Sequence, residues 1–161
     1  MSLGGRTYSW SKDRQWQVVL DLPRLTGRTF ELALSSYEDG DRAVLESHGW
    51  RVRPALPMSA DVNAYRAYVC SSLAEFTVAK EQNVGLRSGW FSDRSATYLA
   101  AGRPVVTEDT GFGTALPTGA GLLAFSTLDE AAVAVGAVAT DYDRHRRAAA
   151  EVARECCAAE T

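Results

Sequence analysis

The densest concentration of groups able to do chemistry lies between residues 87 and 113, in the run "RSGWFSDRSATYLAAGRPVVTEDTGFG". Arg87, Ser88, Trp90, Ser92, Asp93 and Arg94 open it, and Asp109, Thr110, Gly111, Phe112 and Gly113 close it. Free main-chain amides at a helix start, with a cation such as Arg87, Arg94 or the nearby Lys80, suit a phosphate or diphosphate. An ionised Asp93, Glu108 or Asp109 accepts hydrogen bonds from sugar or ribose hydroxyls, because a carboxylate offers only lone pairs. Trp90 and Phe91 carry rings that can stack on a base or a sugar.

Each of these residues also has an ordinary structural use. Ser92 is placed to cap a helix, and Asp93 in a first turn is favoured by the helix dipole whatever the function. Lys80 reads as a solvated strand end, and Trp90 and Phe91 as core plugs. "TGFG" lacks the third glycine of a dinucleotide fingerprint. His48, just ahead of Gly49, reads as a partner for a helix C-terminus, and His145, within "DYDRHRR", as part of a solvated helix face. The functional argument therefore rests on the residues gathering in one place.

The elements that would gather them are legible. "WSKDRQWQVVLDLPRLTG" predicts a helix capped at Ser9 or Ser11, stopped near Pro23 and closed by Gly27. "FELALSS" predicts a strand over 30–36, "EDGDRAVLESHG" a short helix, and "WRVRPA" a strand over 50–55. A helix capped by Ser59 and running to Leu73 is followed by a strand over 75–80 that ends at Lys80. A loop then leads to a helix over 93–101, capped by Ser92 and stopped by Gly102. Strands over 104–109 and 121–126 follow, and a Thr127/Glu130 capping box opens a long alanine-rich helix to Arg154. This alternation predicts an α/β fold, a Rossmann-like three-layer open parallel sheet with helices on both faces. Such sheets bind ligands outside the carboxyl ends of their strands, where Lys80, the start of the 93–101 helix and the 109–113 loop converge.

The chain of 161 residues has the length of one domain. Residues 1–9 read as a leader or disordered stretch, 10–157 as the domain and 158–161 as a tail. A net charge of −3 argues against a nucleic-acid binder, which needs surplus Lys and Arg. No apolar run is long enough to span a membrane, and "MSLGGRTYSW" has no signal-peptide core. Cys70, Cys156 and Cys157 lack the spacing of a zinc site or a disulfide framework, so a reducing, cytoplasmic setting is expected. Two lysines among many arginines, with no isoleucine, suggest a GC-rich bacterial genome.

From Trp10 onward the chain resembles the C-terminal, donor-binding domain of group 1-like bacterial GT-B glycosyltransferases. "LAAGRPVVTEDTGFG" carries most of the likeness: a helix ending Ala-x-Gly-x-Pro-Val-Val, a strand ending in an acidic residue, and a Gly-rich turn, in that order. The resemblance implies a nucleotide-sugar bound at the rim without a metal ion or other cofactor, and transfer of its sugar to an acceptor. By position, Thr110 to Gly113 would face the donor sugar and phosphates, and the helix at Asp93 the ribose and diphosphate.

Two departures bear on this expectation. Many retaining members carry Glu-x7-Glu through this helix, and the matching positions are Gly89 and Thr97. Asp93, one helical turn before Thr97, is the carboxylate left to take over the role. The resemblance also implies a second, N-terminal acceptor domain, and the first strand of the donor half is not found in the sequence. A missing strand would leave a sheet edge open to a second copy. The alternative from another class is a non-catalytic α/β module that binds a nucleotide or a partner.

Overall fold

The computed structural model describes residues 2, 3 and 5–157. A short hairpin, β1 (Ser2–Leu3) and β2 (Arg6–Thr7), leads to α1 (Asp13–Val18), α2 (Leu22–Thr26) and β3 (Phe30–Leu34). Then come α3 (Asp39–Ser47), β4 (Trp50–Pro54), α4 (Leu56–Ser59), α5 (Val62–Ser71) and β5 (Glu75–Thr77). The second half holds α6 (Glu81–Gly85), α7 (Asp93–Ala100), β6 (Val105–Glu108), a 3₁₀ turn (Phe112–Thr114), β7 (Leu122–Phe125), α8 (Leu128–Thr140) and α9 (Tyr142–Cys156).

The helix ends show why several boundaries differ from expectation. Ser59 falls inside α4, and α5 is capped instead by Asp61, whose carboxylate accepts from the amides of Asn63 and Ala64 at 2.7 and 2.9 Å. The helix expected over residues 12–23 is two, α1 and α2, broken at Val19; Gly27 closes α2 in a left-handed conformation, as expected. The Thr127/Glu130 box forms: Thr127 Oγ1 accepts from the Glu130 amide at 3.2 Å, and Glu130 Oε2 accepts from the Ser126 amide at 2.7 Å. The long helix behind it is also two, because Asp141 leaves helical geometry and caps α9 through the Arg144 amide.

The mixed α/β architecture is as expected, but the strands do not make one sheet. β3 and β4 form a parallel pair, and β5, β6 and β7 a separate parallel sheet in that order. The α1–α2 segment begins at the carboxyl end of β6, where Gln15 Nε2 donates to Glu108. It ends at the amino end of β4, where Trp50 Nε1 donates to the Leu20 carbonyl at 2.8 Å.

Helices flank both faces, because strand alternation splits the core. Leu32, Trp50, Val78, Val106, Leu123 and Phe125 pack with Val19, Leu22 and the Ala131, Ala134 and Val138 stripe of α8. On the opposite face Val105 and Leu122 pack with Val69 of α5, Tyr98 and Leu99 of α7, and Ala149, Val152 and Ala153 of α9. Gly121 lets α9 approach: a Cβ there would lie 2.2 Å from the Ala149 nitrogen, and its φ of 73° suits glycine alone. No described helix is long and apolar enough to cross a membrane.

Candidate functional site

The carboxyl ends of β5 and β6 and the start of α7 do face one rim, held together by two loops that are far apart in sequence. The Gly89 amide donates to the Thr110 carbonyl at 2.8 Å, and Thr110 Oγ1 donates to the Trp90 carbonyl at 2.6 Å. Arg87 Nη1 pairs with Asp109 Oδ2 at 3.1 Å, and the Phe91 and Phe112 rings meet at 5.4 Å. Arg87 is the one described non-glycine residue at positive φ, 45°, a conformation that costs ~1–2 kcal/mol. The strain persists because Arg87 is fixed from both sides. Its carbonyl packs where a Cβ on Gly111 would come within 3.2 Å, so Gly111, at φ 90°, cannot be replaced without parting the loops.

The individual residues divide into those presented to solvent and those used by the fold. Asp93 is exposed at the first position of α7, and its carboxylate makes no hydrogen bond among the described residues. Ser92 holds the N-cap position without a side-chain cap bond, contrary to the capping role expected of it. Trp90 is 39% exposed and Gly113 is exposed. Ser88 Oγ donates to Asn83 Oδ1 at 3.3 Å. Lys80 ends no strand; it precedes α6, and its ammonium lies 4.0 Å from the centroid of the Trp10 ring.

Three expectations for the glycine turn need correction. Phe112, expected to face a donor, is 1% exposed and plugs the apolar layer beside Leu122. Thr110 is equally buried, its hydroxyl spent on Trp90. The Gly111 amide is not free, because Asp109 Oδ1 accepts from it at 2.7 Å. Arg94, proposed for a phosphate, instead pairs with the buried Glu75 at 2.5 Å and donates to Thr77 Oγ1 at 2.8 Å. His145 is not solvated: it is 3% exposed and its Nδ1 accepts from the Gly121 amide at 3.2 Å. His48 does end α3, and its Nδ1 meets Asp21 Oδ1 at 2.6 Å.

Sequence reasoning missed the N-terminal arm. Tyr8, assigned to the leader, is buried, and the arm after it lies along the rim. The Ser9 amide donates to Glu81 Oε2 at 2.8 Å, and Arg14 pairs with Glu81 Oε1 at 3.2 Å. Lys12 Nζ donates to Thr77 Oγ1 at 3.4 Å and lies 5.9 Å from the Trp90 ring centroid. Burial, and then the Arg94 guanidinium, lower its pKa from 10.5 to about 8, against the pull of Glu75 and Glu108. Burial likewise raises the pKa of Glu108, although the Ala79 amide and Gln15 both donate to it. One of only two lysines, directly ahead of a helix, was the available signal.

The rim thus offers an ammonium whose remaining donors can meet an anion, an unengaged carboxylate at a helix start, and an exposed indole. Two shallow hollows, of about 450 and 440 Å³, lie elsewhere, beside α2 and α8 and at the far end of α7. Among the described residues no group of His, Cys, Asp and Glu is arranged to hold a metal ion. Comparison with protein-family models, curated proteins and solved structures returns no significant match.

Proposed function

We infer that this chain is the nucleotide-sugar-binding part of a glycosyltransferase, holding its donor along the rim between α7 and the 109–113 loop. The observation that carries the reading is the tie between those two segments. The Gly89–Thr110 and Thr110–Trp90 hydrogen bonds set the start of α7 beside the glycine turn, at the carboxyl ends of parallel strands. Lys12, and the amides that open α7 without a side-chain cap bond, supply charge for a diphosphate. Asp93 accepts from donor hydroxyls, in place of the carboxylates absent at Gly89 and Thr97. A three-layer GT-B half of this kind works against an acceptor-binding half, so this chain alone binds donor and transfers little sugar.

Calorimetric titration with UDP, GDP, dTDP and ADP sugars tests the reading. One class of donor is expected to bind, and Asp93→Ala to weaken it by about tenfold, the loss of one charge-assisted hydrogen bond. No binding by any donor, or equal binding by the variant, would contradict it.

A second reading, a non-catalytic α/β binding module, is favoured by the engagement of Arg94, Thr110 and the Gly111 amide within the fold. It predicts nucleotide binding without turnover even when an acceptor domain is supplied.

A further inference from the structure

Both lysines of the chain, Lys12 and Lys80, lie at the carboxyl end of β5, and their surroundings differ. Lys80 sits over the face of the Trp10 ring, its ammonium 4.0 Å from the centroid, a contact that draws on positive charge. Lys12 is half-buried among polar groups. Its Nζ and Arg94 Nη2 both donate to Thr77 Oγ1, at 3.4 and 2.8 Å, so two cations share one small acceptor. A hydroxyl oxygen offers them two lone pairs but no negative charge. The carboxylates that act on Lys12 have other partners. Glu75 Oε1 accepts from Arg94, and Glu108 accepts from Gln15 and, at 3.0 Å, from the Ala79 amide.

This cluster favours the neutral amine. Burial, and then Arg94, bring the pKa of Lys12 down to about 8; Lys80 adds to them, while Glu75 and Glu108 pull the other way. These groups come from β5, β6, α7 and the turn into α6. At pH 8 about half of the Lys12 side chains therefore carry a free lone pair, against under about 1% for an ordinary lysine. A lysine deprived of its proton by burial and a neighbouring cation is a nucleophile towards carbonyl carbon. An aromatic surface stands beside it. Trp90 is 39% exposed, and its ring centroid lies 5.9 Å from Lys12 Nζ. A flat ring joined to Nζ through one carbon is within reach of that indole, at the ~4.5–7 Å over which aromatic rings attract.

We propose that Lys12 is the attachment site for an aromatic aldehyde, held as an imine on Nζ with its ring against Trp90. The neutral amine adds to the carbonyl carbon and forms the C–N bond. The carbonyl C–O bond then breaks, and both amine protons leave with that oxygen as water, so neither oxidant nor reductant is needed. The inference goes beyond the sugar-donor reading, which uses the charged form of Lys12, and it holds whether or not a donor binds the rim.

Reductive trapping on the 161-residue protein tests it, with pyridoxal as the probe and borohydride to reduce the C=N bond. Peptide mass spectrometry then locates the label. At pH 8 Lys12 is expected to carry about tenfold more label than Lys80, and Lys12→Arg to remove it. The yield at Lys12 is expected to rise to about pH 8 and then level off. Equal labelling of the two lysines, or a yield at Lys12 still rising at about pH 10 as for an ordinary lysine, would overturn the proposal. Acetaldehyde, which has no ring, tests the stacking. Trp90→Ala is expected to reduce the pyridoxal label severalfold and to leave the acetaldehyde label unchanged. Equal loss with both aldehydes would make Trp90 a packing partner of Lys12 and overturn its place against the bound ring.

Discussion

His145 shows how a single side chain can defeat a pattern. Its neighbours Arg144, Arg146 and Arg147 are exposed, yet its own ring turns inward to the start of β7 and accepts the Gly121 amide. An imidazole in that role must be neutral at Nδ1. Burial, and then Arg144, hold its pKa below 6.5, with Asp141 pulling the other way. As the pH falls through 6.5 the unfolded chain takes up the proton first, so stability present at neutral pH is lost towards the folded value. Glu108, whose pKa is raised by burial, acts with the opposite sign: its contribution is lost as pH rises through its folded value. The difference between wild type and His145→Gln isolates the histidine. The melting temperature of the wild type is expected to drop more steeply between pH 7 and 5 than that of the variant; equal slopes would show that the Gly121 contact carries no proton linkage. Asp93 stands at the other extreme. It is exposed and unengaged, so Asp93→Ala should leave the melting temperature nearly unchanged while weakening donor binding, and a large loss of stability would recast it as a dipole partner of α7.

At the scale of elements, the signals that were legible are those carried by a few adjacent residues. The Thr127/Glu130 box and the Gly27 stop formed where their local chemistry put them. Thr127→Ala removes the acceptor for the Glu130 amide and is expected to cost ~1 kcal/mol, read as a lower urea midpoint with an unchanged slope; no shift would mean that α8 is held by its alanine stripe alone. The breaks at Val19 and Asp141 were not legible, because the alanine-rich run around Asp141 keeps a helical period on both sides of it. The break follows from docking: α8 covers one face of the strands and α9 the other, which a straight helix cannot do. The glycine turn was misread for a similar reason. "TGFG" shows where the chain can bend, whereas the burial of Phe112 depends on Leu122 and Phe91, which local sequence does not bring near.

The whole molecule turns on contacts between distant residues. Alternating strands and helices gave the α/β class, but pairing partners lie a helix or more apart, so the division into two sheets had no local signature. The N-terminal arm escaped notice likewise, since Lys12 acquires its meaning only from Thr77, Arg94 and Glu108. What did survive from sequence to structure is the meeting of the 87–94 and 109–113 segments, and the functional account depends on that meeting. Residue-resolved amide shifts on titration with the tightest-binding nucleotide-sugar test it most directly. The account predicts that residues 89–94 and 109–113 move together, saturating with one affinity, along with Lys12. Shifts confined to the hollow beside α2 and α8, or shifts in only one of the two segments, would contradict it.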